Sequence, residues 1–364
     1  MDKEGIRGIV DEIAALASGS DRMNLMEVCG THTVSLFRTG AKSLLPETVR
    51  LVSGPGCPVC VTSQAYIDLA GELALRPDTT VCTYGDMVRV PGRRGSLEAL
   101  RAEGAKVAVV YSARDALAYA RRNPERHAVF LAVGFETTTP ATAATVLEAE
   151  NEGLKNFYIL GGHKRIIPAM HTLLSAGEVP IDGFLCPGHV SVVIGAGAYE
   201  PIASHYRKPC VVAGFELEGM LRAILLLVRQ AVRYEARVEN TYGAAVTVEG
   251  NRAARELTER VFEPSDAVWR AMGRIPESGL DLRPAYRRYD AMDRFGLSFG
   301  SEVTPHGCLC GEVIQGKALP TECALFRKKC TPREPVGPCM VSMEGTCAAW
   351  YKYGPARAEG GGNR

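Results

Sequence analysis

The sequence predicts an α/β protein with two similar parallel-sheet domains facing a cleft, followed by a mainly helical and irregular C-terminal domain organised around cysteines. Three observations predict it. Between residues 20 and 220 short β-branched runs alternate with helical stretches, the pattern of βαβ units. A strand, a Gly-containing loop and a helix start recur at 52–57 and at 132–140, a weak internal similarity that places a domain boundary near residue 115 or 120. After residue 299 the chain is dense in Gly, Pro and Cys, too poor in regular apolar repeats for a conventional core, so a bound group is expected to organise it.

In chain order, the first twenty residues carry acids on a helical pattern. Strands are expected at 25–28, 49–53, 80–84, 107–111, 129–133, 157–160, 183–186 and 210–213, each a short run rich in β-branched residues. Helices are expected at 62–75, 96–103, 114–122, 141–152 and 167–176, several with Ser, Thr or Pro near the first turn. A long helix at 215–238 carries the apolar patch Met220, Leu221, Ile224, Leu225, Leu227 and Val228. Residues 264–290, rich in Pro and Arg, show little periodicity. The expected division is domain I at 20–116, domain II at 117–218, and a third domain formed by 1–19 together with 219–364.

Composition narrows the function. The 364 residues are 46 % hydrophobic, enough for substantial cores, and Lys+Arg total 42 against Asp+Glu 41, so no net field attracts nucleic acid. The N-terminus lacks the apolar stretch of a signal peptide, and the longest apolar run, 223–228, is too short to span a bilayer. The expectation is a soluble, cytoplasmic protein with neither membrane nor nucleic-acid partner. In a reducing compartment twelve thiols are metal ligands or redox groups rather than a disulfide framework. Cys82, Cys186 and Cys210, in or beside apolar segments, read as small buried hydrophobes.

The remaining nine fall into two groups. Cys29, in Glu27-Val28-Cys29-Gly30-Thr31-His32-Thr33, ends a strand and precedes a helix, where unpaired N–H groups and the helix dipole favour a thiolate. Cys57 and Cys60, in Gly54-Pro55-Gly56-Cys57-Pro58-Val59-Cys60, form a CxxC pair on the same kind of turn, suited to a reversible disulfide or to half of a zinc site. All three thiols are expected to be exposed and reactive. Beyond residue 300 stand Cys308, Cys310, Cys323, Cys330, Cys339 and Cys347. Cys310, Cys323, Cys330 and Cys347 leave 12, 6 and 16 residues between successive thiols, too spread for zinc-ribbon knuckles and suited to one folded iron–sulfur cluster. Zinc, or a mixture of ligands and spare thiols, remains the competing reading.

Three loop residues complete the candidate set. Glu136, in Gly134-Phe135-Glu136-Thr137-Thr138-Thr139-Pro140, stands at a helix start where it can accept a proton, orient a ligand or simply cap. His163 and His189 sit on Gly-flanked loops, the latter in Cys186-Pro187-Gly188-His189-Val190-Ser191. In a parallel sheet such loops share one edge, so Cys29, Cys57, Cys60, Glu136, His163 and His189 are expected to border the cleft.

Taken together, the motifs around Cys29, Cys57, Glu136 and His189 and the segment from Cys310 to Cys347 resemble the hydrogenase maturation factor HypD family, from near residue 20 to near residue 353. The resemblance implies a scaffold that works with a HypC-type chaperone to assemble the Fe(CN)2CO unit of [NiFe] hydrogenase, with cyanide from the C-terminal thiocyanate of a HypE-type donor. It implies that Cys29 holds this transient iron together with the N-terminal cysteine of HypC, with His32 beside it. It further implies Cys57 and Cys60 as a thiol/disulfide pair communicating with a [4Fe–4S] cluster on Cys310, Cys323, Cys330 and Cys347, while Cys308 and Cys339 stay unassigned. Such a protein is a scaffold with redox activity rather than a turnover enzyme. The alternatives are a stand-alone iron–sulfur thiol-disulfide oxidoreductase and a zinc-stabilised binding module.

Overall fold

Two parallel sheets, a β-hairpin and a C-terminal group of short helices make up the computed structural model, which describes residues 3–303 and 305–355. The strands are β1 (Met23–Glu27), β2 (Val49–Ser53), β3 (Thr79–Thr83), β4 (Val107–Val109), β5 (His127–Gly134), β6 (Phe157–His163), β7 (Gly183–Pro187), β8 (Cys210–Ala213), β9 (Val238–Asn240), β10 (Phe262–Trp269) and β11 (Gly273–Leu282). One parallel sheet runs in the order β2-β1-β7-β8-β9 and the other β4-β3-β5-β6. Strand β5 is buried on both faces after its first residue, so it reads as the continuous apolar run His-Ala-Val-Phe-Leu-Ala-Val-Gly rather than as an alternation.

The α/β class with parallel sheets and an irregular C-terminal region is as the sequence predicts. The sheets, however, do not divide at residues 116 and 218. Strand β7 pairs with β1, Leu25 opposite Gly183, so the first sheet is built from both ends of the 23–240 stretch and the second from the middle. Parallel strands need a crossover, and nothing local in a sequence tells how many residues that crossover spans. The chain therefore passes between the two sheets twice, the first time through the segment that carries Cys57 and Cys60.

The helix Lys3–Ala17 is also placed differently from expectation. Its buried Ile9, Ile13 and Ala17 join Met220, Leu221 and Ile224 of the helix Leu217–Val232 and Leu25 of β1 in one apolar cluster. It belongs to the first sheet, because its apolar stripe matches the outer face of that sheet. The long helix ends at Val232, and β9 follows it as an edge strand. Within residues 264–290, expected to lack periodicity, β10 and β11 pair antiparallel, with a register shift between Ser265 and Ala267. The alternating burial of β10 was a period-two signal, masked by its Pro and Asp. Its buried Trp269 bridges to Thr62, directly after the CxxC turn.

Beyond residue 300 the helices are short: Cys310–Ile314, Pro338–Val341 and Thr346–Tyr353. The first two pack against the one-turn helix Pro58–Val61, and the last lies on the helix Gly30–Arg38, with Phe37 and Trp350 edge to face at 5.2 Å. The C-terminal segment thus closes over both N-terminal cysteine motifs. Among the described residues, no helix is long and apolar enough to cross a membrane.

Candidate functional site

Between the sheets lies a cleft of about 500 Å³, lined by Cys29 and Thr31 from the loop after β1, Gly56, Pro58 and Val59 from the CxxC turn, Asp86, Thr137 and Thr138, His189, and the C-terminal residues Ser342 to Glu344. The loops reach it because the strands they leave are parallel and end on the facing edges. Gly30 and Gly56 allow the close approach. A Cβ on Gly56 would lie 2.3 Å from the Cys29 nitrogen, and one on Gly30 would lie 2.4 Å from the Glu344 carbonyl oxygen. The Gly30 N–H donates to the Gly56 carbonyl at 3.1 Å, locking the two motifs together.

Cys29 occupies the N-cap position of the helix Gly30–Arg38 in extended backbone. Burial, with the Glu344 carboxylate nearby, pushes its thiol up to about 11, despite hydrogen bonds from His32 and Thr31 that favour the thiolate. The expected thiolate is therefore corrected to a neutral thiol, because the desolvation of a buried sulfur outweighs a helix of nine residues. Expected exposure is corrected as well: Cys29 is 8 % exposed, Cys57 5 % and Cys60 0 %, since both loops turn into the interface rather than toward water.

Cys57 and Cys60 form a disulfide with a Cα–Cα distance of 5.2 Å. Pro58 opens the one-turn helix between them, and the Cys60 N–H points at the Cys57 sulfur at 3.2 Å, a group placed to stabilise a thiolate there after reduction.

His32 is fully buried and turned from the cleft. Its Nε2 donates to the carbonyls of Ala213 and Gly214 at 3.2 and 3.0 Å, which leaves Nδ1 as a buried lone pair with no hydrogen-bond partner among the described residues. Burial pushes it down to about 4, so the ring is neutral. Phe215 lies between His32 and His189, with ring centroids 4.9 and 4.0 Å away. His189 is exposed and lines the cleft.

Glu136 lies outside the lining of this cleft. Its Oε1 accepts the Ile166 N–H at 2.9 Å, and Oε2 is buried without a hydrogen-bond partner, which raises its carboxyl to about 7 chiefly through burial. Thr137 and Thr138 of the same motif face the cleft instead. His163 is an internal hydrogen-bonding residue on Thr142 at 3.0 Å, and burial pushes it down to about 3.

The six C-terminal cysteines are free thiols that come together. Cys308 and Cys310, Cys310 and Cys339, and Cys339 and Cys347 lie near enough for each thiol to shift the ionisation of the next. Cys330 feels the charges of Cys308 and Cys323, and its sulfur accepts the Val336 N–H at 3.4 Å. These thiols fit a cluster in donor type and in mutual proximity. Among the described residues no three side chains converge as the ligands of one mononuclear metal ion would, whereas a cubane takes each thiolate on a different iron and spaces them further apart. The fold does not separate the expected ligands Cys310, Cys323, Cys330 and Cys347 from Cys308 and Cys339, since Cys339 is 1 % exposed and its sulfur accepts the Cys347 N–H.

Several cleft residues escaped sequence reasoning. Thr31 donates to Glu344 Oε1 at 2.7 Å, and Asp86 accepts from Ser342 Oγ and the Met343 N–H at 3.0 and 3.2 Å. Outside the cleft lining, Glu27, its side chain fully buried, pairs with Lys42 at 2.7 Å. These partners lie hundreds of residues apart or in plain polar contexts, and only the proximity of Glu344 to Cys347 in sequence was a usable signal.

The profile of the family described as "HypD: Hydrogenase formation hypA family" matches residues 4–354. The chain is 47 % identical over 358 residues to a hydrogenase maturation factor HypD of Azotobacter vinelandii, covering 96 % of this chain and 94 % of the relative. It is 46 % identical to the protein of that name from Cupriavidus necator, covering 97 % and 95 %. It is 44 % identical to that of Escherichia coli, covering 93 % and 91 %.

Proposed function

Because the chain belongs to the HypD family of hydrogenase maturation factors, we propose that its cleft is the assembly site for the Fe(CN)2CO unit, built with a HypC-type chaperone and with cyanide from a HypE-type donor. One observation carries this reading: Cys29 stands in a cleft of about 500 Å³ flanked by a CxxC disulfide on one side and by Glu344 of the cysteine-rich segment on the other. The cleft is mostly apolar around the sulfur, as strong-field diatomic ligands on a soft thiolate-held iron require.

The electrostatics favour a loading switch. Glu344 disfavours a bare Cys29 thiolate, and the same carboxylate favours a thiolate that carries a cation, so iron arrival displaces the proton from Cys29. The chaperone's own cysteine then shares the iron from the open side, where His189 and the exposed Met343 lie. His32, held neutral behind Phe215, supports the wall rather than the metal. A [4Fe–4S] cluster on the C-terminal thiols supplies electrons when bound. Its segment packs on the helix Pro58–Val61, so the Cys57–Cys60 disulfide would be the natural acceptor: two successive one-electron deliveries, with the cluster re-reduced each time by an external electron-donor protein, and two protons would convert it to two thiols. Cys60 is wholly buried, which withholds the disulfide from soluble thiol substrates and speaks for the scaffold over a stand-alone oxidoreductase.

Infrared spectroscopy of the chaperone-bound complex tests the reading. Wild-type protein is expected to show cyanide and carbonyl stretching bands and Cys29→Ala to lose them. Bands of the same position and intensity in the variant would remove Cys29 as the anchor.

A further inference from the structure

Arg270 carries a permanent charge yet is 2 % exposed, at the turn between β10 and β11. Burying a guanidinium costs several kcal/mol unless its charge is answered. Its Nε donates to the Thr62 carbonyl at 2.8 Å and Nη1 to Gln64 Oε1 at 3.2 Å, both neutral acceptors. Nη2 is buried and has no hydrogen-bond partner among the described residues. The chargeable groups that face it are Cys310, Glu302, Cys308 and Asp68. Two of these are already engaged: Glu302 accepts the Gln64 and Ala65 N–H groups, and Asp68 pairs with Arg93 at 2.6 Å. Cys310 and Cys308 remain; without a bound group both thiols are pushed up on balance, by neighbouring sulfur and by burial, and Arg270 is a small opposing influence on each.

The turn is wedged between both sulfur regions. On one side the Arg270 N–H donates to the Val61 carbonyl at 2.9 Å, the last residue of the CxxC helix. On the other, Ala271 lies so close to the helix Cys310–Ile314 that a Cβ on Gly311 would fall 2.3 Å from the Ala271 methyl, and Gln315 donates to the Ala271 carbonyl at 3.1 Å.

We propose that Arg270 is a positioning residue that supplies the counter-charge for the Cys308/Cys310 end of the C-terminal thiolate group and ties that charge to the CxxC turn through Val61 and Thr62. The inference rests on the reading that these thiols hold an iron–sulfur cluster. An electron added to the cluster adds negative charge, so a fixed cation nearby favours the reduced form.

The test is a spectroscopic redox titration of the anaerobically prepared full-length protein, with dithionite as reductant, comparing wild type, Arg270→Lys and Arg270→Gln. Arg270→Gln is expected to disfavour reduction at least tenfold, a fall of about 59 mV for a one-electron couple. Arg270→Lys, which keeps the charge and loses the planar fork, is expected to stay within threefold of wild type. An unshifted Arg270→Gln, or equal shifts in both variants, overturns the proposal. If Arg270→Gln is isolated without a cluster, retention in Arg270→Lys supports the charge role, and loss in both overturns it in favour of a steric strut. A wild-type protein without visible absorbance or acid-labile sulfide sinks the cluster reading itself and the proposal with it. A cluster present but indifferent to Arg270 sinks the proposal alone.

Discussion

Cys29, Cys57 and Cys60 stand on loops that leave the adjacent strands β1 and β2 of one parallel sheet, whereas the six cysteines beyond residue 300 sit on or beside helices of five, four and eight residues joined by turns. Both groups are largely buried, but for different reasons. The N-terminal thiols are placed by backbone: strand ends, the Gly30 N–H donated to the Gly56 carbonyl, and glycines that let two loops touch. The C-terminal thiols are placed by short helices that lean on one another, on the CxxC turn and on the helix Gly30–Arg38, because helices this short do not persist on local energetics alone. A sheet-mounted site is expected to survive the loss of its ligand, and a self-assembled one to depend on it.

The largest expected effect tests that dependence. With the proposed cluster bound, anaerobic removal of its iron from the full-length protein is expected to open residues 308–347 to limited proteolysis and leave the fragments from both sheets intact. Equal protection with and without iron would erase the contrast.

The next lies wholly within the sheet-mounted half. Glu136 has its carboxyl raised from 4.5 to about 7, chiefly by burial. The folded state therefore holds this proton more tightly than the unfolded chain, and the stability it contributes is complete at low pH and lost as pH rises through about 7. The difference amounts to about 3 kcal/mol. Glu136→Gln, which keeps the acceptor for Ile166, is expected to remove that fall, seen as a flatter urea-unfolding stability between pH 4.5 and 8. Parallel pH profiles for variant and wild type would place the carboxyl in water.

Gly56→Ala sharpens the backbone argument. Its Cβ meets the Cys29 main chain, which cannot rotate away, so a loss of roughly 1–3 kcal/mol is expected, together with weaker cyanide and carbonyl bands in the chaperone complex. A wild-type urea midpoint would show that the two motifs are not held this closely. The smallest effect belongs to the seam between the halves. Thr31→Val removes the hydrogen bond to Glu344 and is expected to cost about 1 kcal/mol, while hydrogen exchange at residues 342–345 rises. Unchanged exchange there would mean that these residues are held by Asp86 rather than by Thr31.

Much of the scaffold was legible because parallel strands buried on both faces announce themselves as apolar runs: 49–53 and 183–186 coincide with β2 and with the first four residues of β7. The CxxC turn was legible for a local reason, its proline and the spacing of its thiols. The β10–β11 hairpin was not, because Pro264 and Asp266 disguise its alternation.

The sequence by itself determined the chemistry: which atoms are thiols, that one pair is close enough along the chain to form a disulfide, and that an α/β scaffold carries them. Only the tertiary structure decided their surroundings. It returned β7 to β1 across a long crossover, and it buried Cys29 beside Glu344 so that its thiol keeps its proton. It also set Arg270 against Cys308 and Cys310. The reason is that dielectric and charge proximity depend on distances in space, and residues 29 and 344, or 270 and 310, become neighbours only when the sheets and the C-terminal helices close on one another.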